Sequence, residues 1–293
     1  MLTVIENEWL QVKIAAKGAE VREVKHKKTG LDYMWTGDSA YWGRVSPVLF
    51  PIVGRLKDDQ YKLDGSTYEM PQHGFLRDQD FILDKRSNTE AAFVLESAGK
   101  FKQIYPQKFK AVIHYELSGA SLTVKWEILN DDKGDMFFSI GAHPAFRVPL
   151  LHDEHVSDYR VDFTSKKNHM VTEYELQDSL IREKGQTSEL PSFLLDGSLF
   201  KNDALVYSHI DAVSLTSAKS GHGVKVLMEN FPFVGIWSRY MEDKGTIAPF
   251  VCIEPWYGIA DTIEATGNLN EKLGIQKLGE GEKFRTHYQI NFI

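Results

Sequence analysis

The chain has a single cysteine, Cys252, in 293 residues. No internal disulfide can form, no Asn-x-Ser/Thr glycosylation acceptor occurs, and nothing points to an oxidising compartment. Long apolar runs are missing as well, since no stretch approaches the roughly 20 apolar residues that cross a bilayer as a helix. The start, Leu2-Thr3-Val4-Ile5-Glu6, meets an acid almost at once and has no basic region ahead of an apolar run, so no targeting segment is read there. A cytoplasmic protein with no membrane partner is the expectation. Positive charge is in deficit, with 34 Lys+Arg against 41 Asp+Glu and a net charge of −7. That surface lacks the dense cationic field that nucleic-acid binding requires, and no nucleic acid is expected as a partner. Helical periodicity is scarce too. Its best candidates are short, Ser179 to Lys184 and Ser192 to Phe200. Without Gly-x-Gly-x-x-Gly or a phosphate loop there is no support for a doubly wound nucleotide-binding sheet.

What the chain does have is alternation. Leu122, Val124, Trp126 and Ile128 interleave with Thr123, Lys125 and Glu127, the period of a pleated strand with one face buried. Ala111 to Leu117, Val224 to Glu229, Phe233 to Trp237 and His287 to Ile293 read alike, with Gly, Asn and Asp at their ends. The fold class is therefore all-β, a large sandwich of two packed antiparallel sheets. No linker or composition shift divides the chain, which predicts one domain over 1–293. The polar stretch Leu151 to Thr187 carries few strand signals and reads as a long excursion from the sheet.

Four segments pack His, Arg or Glu among Pro, Gly and aromatics where the alternation stops, the usual place for binding residues on a rigid scaffold. They are Ser46 to Leu56, Pro71 to Asp78, Gly141 to Phe146 and Cys252 to Gly258. In this order and at these separations they resemble the aldose 1-epimerase (galactose mutarotase) family, and more narrowly its short bacterial branch, the LacX-like proteins. The resemblance implies a galactose mutarotase-like β-sandwich with an open sugar-binding cleft. It also implies interconversion of the α and β anomers of an aldose with no cofactor.

Opening a pyranose ring requires one proton to leave the anomeric hydroxyl while another reaches the ring oxygen, so one base and one acid suffice, placed on opposite sides of the sugar. Glu254 is the candidate base. It follows Phe250-Val251-Cys252-Ile253 and precedes Pro255, which predicts a partly desolvated carboxylate at the end of a buried strand. His143 is the candidate acid, held in an extended conformation by Pro144, and the family's His-Pro dipeptide supplies the proton donor at this place. Arg55 and His73 are expected to position substrate hydroxyls, Asp203 to bind a hydroxyl, and Trp256 to line the cleft with Phe75, Phe146, Trp237 and Tyr257 as further aromatics. A plain reading stands beside each: a partner for a carboxylate at Arg55, turn chemistry at His73 and Asp203, a buried thiol at Cys252.

No metal is expected. The cluster His152-Asp153-Glu154-His155 lacks metal-site spacing and reads as a solvated loop, while Lys25-His26-Lys27-Lys28 reads as a hairpin tip. Gly54 stands beside Arg55 where galactose mutarotases commonly carry Asn, which leaves galactose itself open as substrate. A related branch sharing the Gly-Arg and His-Gly-Phe-x-Arg segments acts on hexose 6-phosphates, and Arg44, Arg77 and Arg147 lie near the motifs. The alternative to an enzyme is a non-catalytic carbohydrate-binding or sugar-sensing protein on the same scaffold. A glycosidase would need a second carboxylate across the scissile bond, and only Glu254 is in place.

Overall fold

The computed structural model describes residues 2–165, 170–183, 187–189 and 192–293. Two sheets of nine strands each dominate these residues. The first, here the cleft sheet, runs Leu180–Glu183, Met170–Gln177, Leu205–Ser208, Phe233–Trp237, Phe250–Tyr257, Ile140–Ala142 and Val48–Leu49. Ala145–Arg147 pairs alongside Phe250–Tyr257, and Thr187–Glu189 alongside Met170–Gln177. The second, here the back sheet, runs Phe193–Leu194, Tyr159–Thr164, Ala212–Ser217, Gly223–Leu227, Lys283–Phe292, Ser121–Asn130, Phe109–Ser118, Glu90–Glu96 and Ile82–Arg86. Leu2–Glu6, Leu10–Ala15 and Val21–His26 form a separate three-stranded sheet. The pairings along both large sheets are antiparallel, and the all-β expectation holds.

Alternation decides what meets in the middle. In Ser121–Asn130 the side chains of Leu122, Val124, Trp126 and Ile128 are buried while Lys125 is exposed. These join Tyr288 and Ile290 from the back sheet and Val234, Ile236, Val251 and Ile253 from the cleft sheet in one apolar cluster. Each such side chain stabilises the fold by about 1.5–3 kcal/mol. The opposite face of the cleft sheet carries two smaller clusters, one built on Trp256, Phe233 and Ile259 and one on Trp35, Phe250 and Cys252.

Three expectations are corrected. Ser179 to Lys184 is no helix: Leu180–Glu183 is an edge strand of the cleft sheet, and Lys184 lies outside the described residues. Ser192 to Phe200 is a short strand, Phe193–Leu194, followed by a 3-10 turn, Gly197–Phe200, whose Ser198 amide donates to the Asp196 carboxylate. The polar stretch is no excursion, because Tyr159–Thr164 and Met170–Gln177 are full members of the two sheets. These strands lie one place in from the sheet edges, where sparse apolar positions such as Tyr159, Val161 and Val171 suffice to pack one face. Within the same stretch Glu154 is buried rather than solvated, accepting hydrogen bonds from the hydroxyls of Tyr159 and Ser217.

Candidate active site

Phe250–Tyr257 serves two purposes at once. Val251 and Ile253 point into the main core, so the period-two rule turns Cys252, Glu254 and Trp256 to the other face. The neighbouring chain is broken opposite Glu254: Ile140–Ala142 pairs with Trp256 and Tyr257, Ala145–Arg147 pairs with Phe250 to Cys252, and His143-Pro144 spans the gap. The amide of His143 donates to the Pro47 carbonyl at 3.1 Å, and that of Ile253 to the Pro144 carbonyl at 3.2 Å. This break delivers His143 to Glu254. Glu254 consequently sits in mid-strand, not at a strand end as expected. Pro255, which has no N–H to donate, is accommodated because the chain beside it leaves the ladder.

The expected arrangement of acid and base across a cleft is corrected as well, since the two groups stand side by side. His143 Nε2 lies 3.2 Å from Glu254 Oε2, with both side chains more than nine-tenths buried. The contact is not aligned as a hydrogen bond, which leaves Glu254 Oε2 buried without a partner; His143 Nδ1 on the other side of the ring and Trp256 Nε1 are unpartnered as well. Trp42 stacks on the His143 ring at 4.7 Å, and Trp237 meets its edge at 5.7 Å. Trp256 itself lies in a slot cut by glycines, where a methyl at Gly235 would come within 2.4 Å of the indole and one at Gly141 within 2.7 Å.

Burial governs the electrostatics. Desolvation, and after it the Asp203 carboxylate, pushes Glu254 well above the usual carboxylate range, against the opposing pull of the Trp256 indole N–H. Desolvation, with Arg77 and Arg44 adding to it, pushes His143 down. Both shifts favour the uncharged forms, a carboxylic acid beside a neutral imidazole. His73 is likewise held neutral by burial and by His143. Its Nδ1 accepts the Gly54 amide at 3.1 Å, which leaves Nε2–H as the free donor. His73 adopts a left-handed backbone with φ of 66°, and Gly74 follows because a Cβ there would fall 2.1 Å from the Phe50 carbonyl.

Around this pair is a cavity of about 440 Å³, within the range of small-molecule sites. His143, Glu254, Trp256, Trp237, His73 and Asp203 all line it. Asp203 is fixed by the Ser179 hydroxyl at 2.9 Å and by the Ala204 amide at 2.8 Å. Arg55 does not line the cavity. Its guanidinium forms two hydrogen bonds of 2.8 Å with the Asp59 carboxylate in a half-exposed pair, which is the plain reading of that residue. Phe75 and Phe146 belong to the main core, and Tyr257 packs on Phe231 and Phe284. Arg44 and Arg77 do converge on the cavity while Arg147 does not. Arg44 binds Asp78 at 3.1 and 3.2 Å; Arg77 donates to the Gln72 carbonyl at 2.7 Å, and burial beside Arg44 pushes it down to about 10.

Sequence reasoning passed over Trp42 and Ser179. The Tyr41-Trp42-Gly43-Arg44 run mixes aromatics, Gly and Arg outside any alternating segment, the same signal that marked the four motifs. Ser179 carried no signal of its own, because its place follows from the turn between Met170–Gln177 and the edge strand Leu180–Glu183, whose spacing reads as helix.

The sequence pattern of the aldose 1-epimerase family matches residues 1–271. The chain belongs to that family. It is 29% identical to the plasmid-borne protein LacX of Lactococcus lactis subsp. lactis, over 99% of this chain and 98% of that protein. A galactose mutarotase related enzyme from Lactobacillus acidophilus superposes with a TM-score of 0.94 at 35% identity, over 100% of this chain and 97% of that one. A galactose mutarotase-like protein from Lactobacillus casei superposes with a TM-score of 0.91 at 28% identity, over the whole of both chains. The fold is thus the galactose mutarotase-like sandwich, and this aldose 1-epimerase family member carries the buried histidine–glutamate pair on its cleft face.

Proposed function

We propose that the protein is a cofactor-free aldose 1-epimerase acting on a hexose, with a hexose phosphate ahead of the neutral sugar. The observation that carries the reading is the buried His143–Glu254 contact, holding one proton in a cavity with unpaired polar atoms. The two oxygens that must exchange protons, the anomeric hydroxyl and the ring oxygen, are bonded to the same carbon, so an acid and a base in contact suit them.

Moving the shared proton across the 3.2 Å contact makes Glu254 the carboxylate base and His143 the imidazolium acid. Glu254 takes the anomeric hydroxyl proton, the bond from C1 to the ring oxygen breaks, and that oxygen receives the His143 proton. Rotation about the bond beside the new carbonyl and the reverse transfers give the other anomer, with the pair restored. His73 Nε2–H and the Asp203 carboxylate hold hydroxyls, and Trp256 and Trp42 face the apolar C–H surfaces of the ring. A substituent phosphate is favoured by Arg77 and Arg44, two guanidiniums brought to one cavity, of which Arg44 is paired with Asp78 while Arg77 donates to the uncharged Gln72 carbonyl.

The test is NMR exchange between anomers of glucose, galactose and glucose 6-phosphate. Acceleration by the wild type and its loss in His143→Asn is the expected result. No acceleration of any aldose, with calorimetric binding of the same sugars, would replace this reading by the non-catalytic sugar binder.

A further inference from the structure

Cys252 stands directly behind the acid–base pair. It shares the cleft-side face of Phe250–Tyr257 with Glu254, two residues away, and is fully buried against Trp35, Phe250 and Ala145. One ligand atom each from His143, Cys252 and Glu254 all lie within 4.8 Å of one another, the group of this kind that the described residues contain. One of the three brings an unpaired atom to this place, Glu254 Oε2, in a residue that is 1% exposed, and it faces His143 Nε2 at 3.2 Å.

We propose that this triad is an inhibitory binding site for a thiophilic divalent cation of the zinc class, which sits against the His143–Glu254 contact at the cavity and excludes the sugar. Thiolate, imidazole and carboxylate are the donor set of zinc, and the oxygen-seeking cations calcium and magnesium are poorly served by it. Tetrahedral zinc with bonds of roughly 2.0–2.3 Å holds its donors about 3.3–3.6 Å apart. The His143–Glu254 separation of 3.2 Å already meets that spacing, and the thiol, within 4.8 Å of both partners, has at most roughly 1.5 Å to close. Three protein ligands leave the fourth position facing the cavity, where water completes the shell. Binding displaces the thiol proton and the proton held by Glu254 to solvent, and the cation's two positive charges are matched by thiolate and carboxylate. The ring of Trp42 and the edge of Trp237 close the remaining sides of the imidazole.

Metal binding is read here without activity, so it stands or falls separately from the epimerase reading. Metal-free protein is titrated with Co(II) and followed by absorption. Because the chain has one cysteine, any thiolate-to-cobalt charge-transfer band identifies Cys252 as a ligand in the wild type itself. The expected result is one equivalent bound at micromolar protein, with that band and a tetrahedral ligand-field spectrum, both displaced by Zn(II) and not by Mg(II). Cys252→Ser is expected to abolish the band and weaken Zn(II) binding by more than the roughly 10–100-fold typical of losing a residue that merely supports a ligand. Cobalt bound without the band, or no stoichiometric binding, overturns the proposal. If the protein epimerises an aldose, Zn(II) is expected to inhibit it competitively, and saturation by both metal and sugar at once would likewise overturn it.

Discussion

Replacing Glu254 by Gln separates the chemistry of the carboxyl from its shape, and the structure says how stability should respond to pH. In the unfolded chain a glutamate titrates near 4.3 and a histidine near 6.5. In the fold Glu254 is raised and His143 is lowered, both mainly by desolvation. Between about pH 4.3 and 6.5 the unfolded side chains hold one proton, on the imidazole, and the folded pair also holds one, on the carboxyl, so this pair gives almost no slope. Above about pH 6.5 the unfolded imidazole loses its proton while Glu254 keeps its own. Wild-type stability therefore falls as pH rises, by about 1.4 kcal/mol per unit, until Glu254 ionises in the fold. Glu254→Gln removes that fall, because the amide cannot ionise and a neutral buried His143 matches a neutral unfolded one.

The assay is thermal unfolding of both proteins from pH 6.5 to 8.5 in chelator-containing buffer. The melting point of the variant is expected to gain on that of the wild type by about 3 °C per pH unit, taking roughly 2 °C per kcal/mol for a chain of this size. Over the same range anomer exchange by the variant is expected to drop about 10²–10⁴-fold, the usual share of positioned proton transfer. Parallel melting curves would refute the buried-acid argument, and undiminished exchange would refute the role of Glu254.

Further outcomes follow from other contacts. Arg77→Gln is expected to lower kcat/KM for glucose 6-phosphate by about 10–100-fold, as loss of a charge-assisted contact would, and to spare glucose; Arg55→Ala, outside the cavity, is expected to change either substrate less, and the reverse ranking in steady-state kinetics would contradict this placement. Gly235→Ala drives a methyl within 2.4 Å of the Trp256 indole, so urea unfolding is expected to show a loss of about 1–3 kcal/mol together with reduced exchange activity. Lys272→Met strands the Asp261 carboxylate that Lys272 meets at 3.0 Å in a fully buried pair, and a loss of about 3–5 kcal/mol in the same measurement is expected.

Much of this was legible in the chain before any coordinates. Alternation marks strands wherever one face is apolar and the other charged, as in Ser121–Asn130, and it fails where both demands relax. Leu180–Glu183 is four residues at a sheet edge, too short for a period to declare itself, and its spacing passes for a helical turn. The motif residues His73, His143, Asp203, Glu254 and Trp256 do come to one cavity. Arg55 does not, because a carboxylate four residues away, Asp59, is a nearer partner than anything in the cleft, and a motif carries no information about such competition. The adjacency of His143 and Glu254 was also hidden, since it arises from the break between two short strands pairing with the same neighbour.

That break has a dynamic corollary. The pair that would turn over a sugar is carried by an interior strand of a nine-stranded sheet and by the chain laced into its gap, with the Ile253 amide donating to Pro144 across it and the His143 amide tying the chain to Pro47 on the other side. Moving the backbone that carries the two groups means opening a unit that also holds Val251 and Ile253 in the core, which places that backbone at the high-stability end of the fold. A ligand in the cleft should accordingly slow hydrogen exchange at the backbone amides of Val251 and Ile253, whose side chains face away from it. A surface-loop site would confine its protection to the loop. Such a centre gives up adjustable geometry and gains speed of traffic, because a substrate arrives at groups already in register and leaves without waiting for them to part.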